Sequence, residues 1–255
     1  MALDGSVRLE KSGPIAEMIL DRPGKHNALT PDMYRQIGSC CAEIDRDDTI
    51  RVAIVRGAGE RAFCAGSDIG ALETYEDFWA WRNRHDYIPP ILATRKPMIA
   101  AVKGWALGGG FEIALACDLR VASETAVFSA PEVSLGWNGA GGAAQHLVRL
   151  CGYGRAMQLL LSGERIGAEQ ALEFGIIETL VPPGQEVTAA GELARRIAEH
   201  SSVATQAVKS AVRNAMDQTV AQGLKYDNEL MSLCFAKAER DRLRKEKTSD
   251  DQDLP

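Results

Sequence analysis

Two acidic residues stand where the surrounding sequence is apolar. Glu112 is embedded in Gly108-Gly109-Gly110-Phe111-Glu112-Ile113-Ala114-Leu115-Ala116, and Glu132 lies between Val127-Phe128-Ser129-Ala130-Pro131 and Val133-Ser134-Leu135-Gly136. Burying a carboxylate costs free energy unless a partner or a task offsets it. Two such groups could hold a water between them and divide the roles of general acid and general base. The alternative for Glu112 is a charge complementing the dipole of the helix it opens, and for Glu132 an ordinary surface carboxylate.

Glycine supplies the second ingredient. Gly108-Gly109-Gly110 falls between a strand and a helix, where the backbone can approach a ligand and the helix start offers free N–H donors. A second loop, Phe63-Cys64-Ala65-Gly66-Ser67-Asp68-Ile69, follows an earlier strand in the equivalent place. Two N–H groups from two loops, aimed at one point, would make an oxyanion hole. Each run taken alone also reads as a tight turn. Asp68 either caps the helix after it or touches a substrate. Phe78, Trp79 and Trp81 read as helix packing in a core or as a ligand pocket. His85, His146 and His200 have no Ser, Cys or Asp in motif context and are assigned no catalysis.

The elements that must position these residues follow from pattern. Val7–Glu10 and Ile15–Leu20 flank a Gly-Pro turn and predict a hairpin. Thr30 before Pro31 is an N-cap with proline at the first helical position, and Met33, Ile37 and Ile44 follow at helical spacing. Val52–Val55 and Met98–Val102 are short apolar runs that end at glycine, as buried strands do. Strands alternating with helices predict an α/β fold with a parallel core sheet. From Gly152 onward the chain turns helical, with a long stretch from Val187 to Phe235 interrupted by no strand, and Ile176–Val181 is the exception before it. We therefore expect a core over residues 1–190 and a helical docking module over 191–255. The module ends in a charged tail with a basic block at Arg240–Lys247 and an acidic end at Asp250, Asp251 and Asp253.

Composition narrows the partners. At 255 residues, with 45% hydrophobic and 25% charged side chains, the chain can bury a large core and is not a disordered one. A net charge of −6 offers no basic surplus for a phosphate backbone, so no nucleic-acid partner is expected. No apolar run is long enough to span a bilayer. The six cysteines lack metal-ligand spacing, and the N-terminus lacks a signal sequence, so we expect no metal and a reducing cytoplasmic setting.

In order along the chain, several segments resemble the enoyl-CoA hydratase/isomerase (crotonase) family over residues 5–235. They are Leu20-Asp21-Arg22-Pro23 with Asn27-Ala28-Leu29, Ala65-Gly66-Ser67-Asp68-Ile69, Gly108-Gly109-Gly110-Phe111-Glu112-Ile113-Ala114, Cys117-Asp118, Phe128, Pro131-Glu132 and Leu135-Gly136. Gly163, Ile166, Ala168, Ala171 and Gly175 continue the series. The resemblance implies a crotonase-like spiral of ββα units with a C-terminal helical module, assembled as a homotrimer or homohexamer. It implies an acyl-CoA substrate, with coenzyme A as part of the thioester and no tightly bound cofactor. Carried over by position, the N–H groups of Ser67 and Gly109 form the oxyanion hole. Glu112 orients and deprotonates water, and Glu132 exchanges the α-proton. Their separation of 20 residues equals that of the hydratase branch. CoA is expected along Ala65, Gly66, Asp68 and Ile69, with Lys25 and His26 as candidate phosphate contacts or as an exposed basic loop.

The chain departs from the family in carrying Ser67 for the commoner alanine, and in a shortened loop, Leu135-Gly136-Trp137-Asn138-Gly139-Ala140-Gly141-Gly142, that lacks a proline. Trp137 and Asn138 then follow Glu132 closely and are expected to set acyl specificity, with Gly139 a further substrate contact. The function implied is reversible addition of water across the 2,3 double bond of an enoyl-CoA. Alternatives are an isomerase using Glu132 alone and a non-catalytic scaffold. Because the apolar stripe from Val187 to Phe235 exceeds what peripheral helices cover by themselves, the chain should sediment at micromolar concentration as a species heavier than its 27.6 kDa monomer. A stable monomer would contradict this.

Overall fold

The computed structural model describes residues 5–72 and 75–250. Strands β1 (Ser6–Ser12) and β2 (Ile15–Asp21) form the expected antiparallel hairpin. A 3-10 turn over Pro23–Lys25 leads to α1 (Pro31–Arg46), where the Thr30 hydroxyl accepts a hydrogen bond from the Met33 amide at 3.3 Å, so the N-cap is built as its sequence predicts. There follow β3 (Val52–Gly57), β4 (Ala62–Cys64) and the short helices α2 (Ile69–Leu72), α3 (Phe78–Arg82) and α4 (Ile88–Ala93). Next come β5 (Met98–Val102), β6 (Trp105–Leu107) and α5 (Gly109–Ala116), then β7 (Leu119–Ser123), β8 (Val127–Ser129), a 3-10 turn over Pro131–Leu135 and α6 (Ala143–Ser162). The remainder is β9 (Ile166–Gly167), α7 (Ala168–Glu173), β10 (Thr179–Val181), α8 (Glu186–Ala198), α9 (Ser202–Ala215) and α10 (Val220–Asp250).

The strands sort into two sheets, β1-β2-β3-β5-β7-β10 and β4-β6-β8-β9. Successive strand pairs β3/β4, β5/β6 and β7/β8 each give one strand to either sheet before a helical segment returns the chain, which is the repeating ββα spiral. Within the larger sheet, β2, β3, β5, β7 and β10 run parallel, and a parallel sheet needs cover on both faces. Residues of β3 alternate accordingly. Ala53 and Val55 enter the main core with Phe63, Ile91 and Phe111, whereas Val52 and Ile54 face a second cluster with Ile99, Val121, Ala190, Ala194 and Ala198. This two-sided burial is why Val52–Val55 reads as one apolar run rather than an alternation.

The second cluster also relocates α8. Its alanines at positions 190, 194 and 198 recur every four residues on one face and let the helix lie close to the sheet. The expected division at 190/191 therefore falls inside α8, and the first compact unit ends at Ala198. That part of the stretch from Val187 covers the chain's own sheet instead of a neighbour. In the second unit, α9 and α10 pack on each other and leave Val208, Val212, Leu224, Met231, Leu233 and Phe235 each more than half exposed. The acidic end at Asp251 and Asp253 lies outside the described residues.

One buried side chain ties the front of this core together. Asn27 is fully buried with φ +59°, in the left-handed region that asparagine tolerates. Its amide nitrogen donates to the carbonyls of Ala58, Ala62 and Phe63 at 3.0, 2.9 and 3.2 Å, and its Oδ1 accepts from the Arg22 amide at 2.9 Å. Alanine there removes these four hydrogen bonds, three of them buried. Asn27→Ala should therefore lower stability by about 2–4 kcal/mol, read by denaturant unfolding, and a loss below 1 kcal/mol would contradict the bonding described.

Candidate active site

Cys64 ends β4, and the loop after it is stitched to the segment Asn27–Leu29. The Ala65 amide donates to the His26 carbonyl at 3.0 Å, the Leu29 amide to Gly66 at 2.8 Å and the Asp68 amide to Leu29 at 2.9 Å. The Ser67 amide takes no part in this ladder and faces a cavity. Opposite, Gly109 is the first residue of α5, so its N–H has no acceptor within the helix. The two loops meet at Gly66, which has φ +95°; a Cβ there would lie 2.8 Å from the Leu107 carbonyl and 3.2 Å from the Gly109 nitrogen. Only glycine fits. The Ser67 nitrogen in turn lies 3.6 Å from where a Cβ of Gly109 would sit, so the two free amides converge.

Both glutamates line the same cavity. Glu112 is 3% exposed on the first turn of α5, and Glu132 is half-buried in the 3-10 turn after β8. Gly139 measures their approach, because a Cβ on it would lie 3.4 Å from Glu112 Oε1 and 3.5 Å from Glu132 Cδ. Glu112 Oε1 accepts from the Gly141 amide at 2.7 Å and more distantly from Ala143 at 3.5 Å. Burial pushes the Glu112 carboxyl up to about 7, helped by the nearby Glu132 charge and opposed by the two backbone donors. Burial raises Glu132 as well.

The cavity has a volume of about 1050 Å³. Ala65, Gly66, Ser67, Ile69, Gly109, Glu112, Glu132, Trp137 and Gly139 all line it, as does Asn138. Three of the expected contacts do not. Asp68 is turned away, its Oδ2 accepting from Arg22 Nη1 at 2.7 Å and its Oδ1 from the Gly70 amide at 3.1 Å, so the capping alternative describes it. The Arg22 guanidinium holds its carboxyl below the usual range. Lys25 lies exposed on its 3-10 turn outside the cavity lining, and His26 packs on Trp105 with ring centroids 4.7 Å apart.

The aromatics between the two loops are not core residues. Phe78 is 74% exposed and Trp79 72%, while Phe78 and Trp81 line the cavity and Trp79 does not. Sequence reasoning missed Tyr87, Arg84 and Asp86, which also line it. Tyr87 precedes Ile88-Pro89-Pro90-Ile91 and looks like core packing, so nothing in the local sequence marks it. Among the described residues no group of His, Cys, Asp or Glu could hold a metal ion, and no helix is long and apolar enough to cross a membrane.

A sequence profile described as enoyl-CoA hydratase/isomerase matches residues 10–249. The chain belongs to this family. It is 36% identical over 234 residues to a short-chain-enoyl-CoA hydratase of Clostridium acetobutylicum, covering 91% of this chain and 90% of that one. It is 37% identical over 229 residues to an (E)-benzylidenesuccinyl-CoA hydratase of Thauera aromatica, covering 89% and 90%. Among solved structures, an enoyl-CoA hydratase subunit I from Geobacillus kaustophilus superposes with a TM-score of 0.85 at 37% identity, covering 90% of each chain. The spiral expected from the motifs is thus the fold of its solved relatives.

Glu112 provides a test of the pair. Its pKa of about 7 in the folded chain exceeds the ordinary 4.5, so the folded state binds more protons between these values. Its contribution to stability is complete below 4.5 and lost as pH rises through 7. Glutamine keeps an acceptor for the Gly141 amide and cannot ionise. Glu112→Gln should thus unfold less readily than wild type above pH 7, by on the order of 3 kcal/mol, with the difference closing below 4.5. A stability difference that does not change with pH, measured by thermal melts across that range, would contradict the burial described.

Proposed function

We propose that the protein catalyses reversible hydration of an enoyl-CoA thioester. The observation that carries this reading is a pair of carboxyls, one buried and one half-buried, that meet at Gly139 in the cavity where the Ser67 and Gly109 amides converge. The thioester carbonyl accepts hydrogen bonds from both amides, which draws electron density from the conjugated double bond. Ionised Glu112 takes a proton from water as the water oxygen bonds to carbon 3. The electrons of the double bond move onto the carbonyl oxygen, giving an enolate that the two amides stabilise. Protonated Glu132 then gives its proton to carbon 2, the carbonyl reforms, and the pair again holds one proton. Each amide directed at developing charge contributes a few kcal/mol.

Coenzyme A enters as part of the substrate, lying along Ala65, Gly66 and Ile69, and no tightly bound cofactor is required. Lys25, exposed beside this loop, remains a candidate for the nucleotide phosphates, whereas Asp68 is engaged by Arg22. Trp137 and Asn138 form the acyl wall and set which acyl groups fit. The functional assembly is a homotrimer or homohexamer built through α9 and α10, in a cytoplasmic setting.

Screening enoyl-CoA thioesters for loss of conjugated absorbance tests the reading directly. Glu112→Gln and Glu132→Gln should each lower hydration by about 10²- to 10⁴-fold. They separate in deuterated water: Glu132→Gln should also stop exchange of the α-proton of a saturated acyl-CoA, whereas Glu112→Gln should retain most of it. Loss of double-bond migration in Glu132→Gln alone would indicate an isomerase, and CoA binding without turnover in wild type would indicate a scaffold.

A further inference from the structure

Tyr87 has a place at the site that the two-carboxylate mechanism leaves unused. It stands immediately before α4, is 8% exposed, and borders the cavity together with Ser67, Gly109 and Glu112. Its hydroxyl lies directly against the Gly109 Cα: a Cβ on Gly109 would collide with Tyr87 Oη on the side that also approaches the Ser67 nitrogen. The phenol oxygen thus shares its patch of cavity wall with the two convergent amides. The Tyr87 ring packs on Tyr34 with centroids 4.8 Å apart, and both phenols lie near the Ser67 side chain.

Protonation favours donation. Burial pushes the Tyr34 phenol up to about 12, and burial with the facing Glu112 charge raises Tyr87 well above its ordinary value. Both keep their protons at any working pH. A serine hydroxyl gives one hydrogen bond and accepts two, so it can take a proton from one phenol and give its own to the other. A neutral hydroxyl fixed beside two amides, in a cavity wall that is mostly apolar, is placed to meet the oxygen on which negative charge develops when substrate enters.

Resting on the hydratase reading above, we propose that Tyr87 is a third hydrogen-bond donor to the thioester carbonyl oxygen, aligned by a hydroxyl chain in which Tyr34 donates to Ser67 and Ser67 donates to Tyr87. Tyr87 is then a catalytic residue, and Ser67 (through its side chain) and Tyr34 are positioning residues. Chains of this kind polarise one another, so the last donor strengthens as the oxygen gains charge. The serine at position 67 thereby has a use that alanine would lack.

The carbonyl stretch of bound, carbonyl-labelled butanoyl-CoA, which is saturated and is not hydrated, reads the donors directly by difference infrared spectroscopy. Tyr87→Phe should move that band to higher frequency and lower kcat for hydration by about 10- to 100-fold, with KM nearly unchanged. Ser67→Ala, which keeps the backbone amide and serves as the second variant if Tyr87→Phe folds poorly, should give a smaller shift in the same direction and a smaller loss of kcat. An unmoved band with wild-type kcat in either folded variant overturns the proposal while leaving hydration standing. A wild type that hydrates no enoyl-CoA, yet loses part of its band shift in Tyr87→Phe, retains the donor and overturns the hydratase reading instead.

Discussion

The contact between the Ala65–Asp68 loop and the start of α5 governs everything at the site. The Gly66 backbone lies so close to the Leu107 carbonyl and the Gly109 nitrogen that no side chain fits between. Two strand ends from neighbouring turns of the spiral are therefore brought to one point, with one amide of each left over. Those amides are unpaired because the backbone ladders beside them are complete: the Ala65, Leu29 and Asp68 amides use the nearby carbonyls, and α5 has no residue before it to receive the Gly109 N–H. Fixed donors of this sort need no reorganisation when charge appears, which is the physical basis of their effect on a transition state.

The same contact explains the acidity of the pair. Seating α5 against β4 buries its first turn and carries Glu112 into an environment that disfavours its charge. The loop after the 3-10 turn over Pro131–Leu135 answers with the Gly141 amide. Burial and Glu132 push the Glu112 carboxyl up, while the amide pulls it back, and the balance lies at about 7. A carboxyl titrating near neutrality is equally ready to take or to release a proton, which a reversible addition requires in its two directions.

Much of this was legible in the sequence because glycine and proline report backbone geometry directly. Gly66 and the run at 108–110 marked both loops, and Thr30-Pro31 marked the start of α1. The paired strand runs marked a parallel sheet. What escaped the sequence depends on side-chain direction. Asp68 has the right position but faces Arg22, a partner 46 residues away. Phe78 and Trp79 have core composition yet lie mostly in the open. Tyr87 reaches the site through a packing contact with Tyr34, 53 positions earlier, that no local pattern records. The compact units divide after Ala198 rather than at 190/191 for a related reason, since α8 covers β3, β5 and β7, all encoded well before it.

The clamp on Glu112 constrains how this enzyme could be redirected. Trp137 and Asn138, which line the cavity, belong to the same short loop as Gly139 and Gly141, against which the two carboxyls rest. A Cβ on Gly141 would run into the Glu112 carboxylate itself. Insertions or loop grafts made to admit a new acyl chain would therefore shift the two carboxyls along with the cavity wall. Point substitutions at Trp137 and Asn138 leave that backbone in register, so laboratory evolution of a new acyl preference has its open route through side-chain exchange at a fixed loop length.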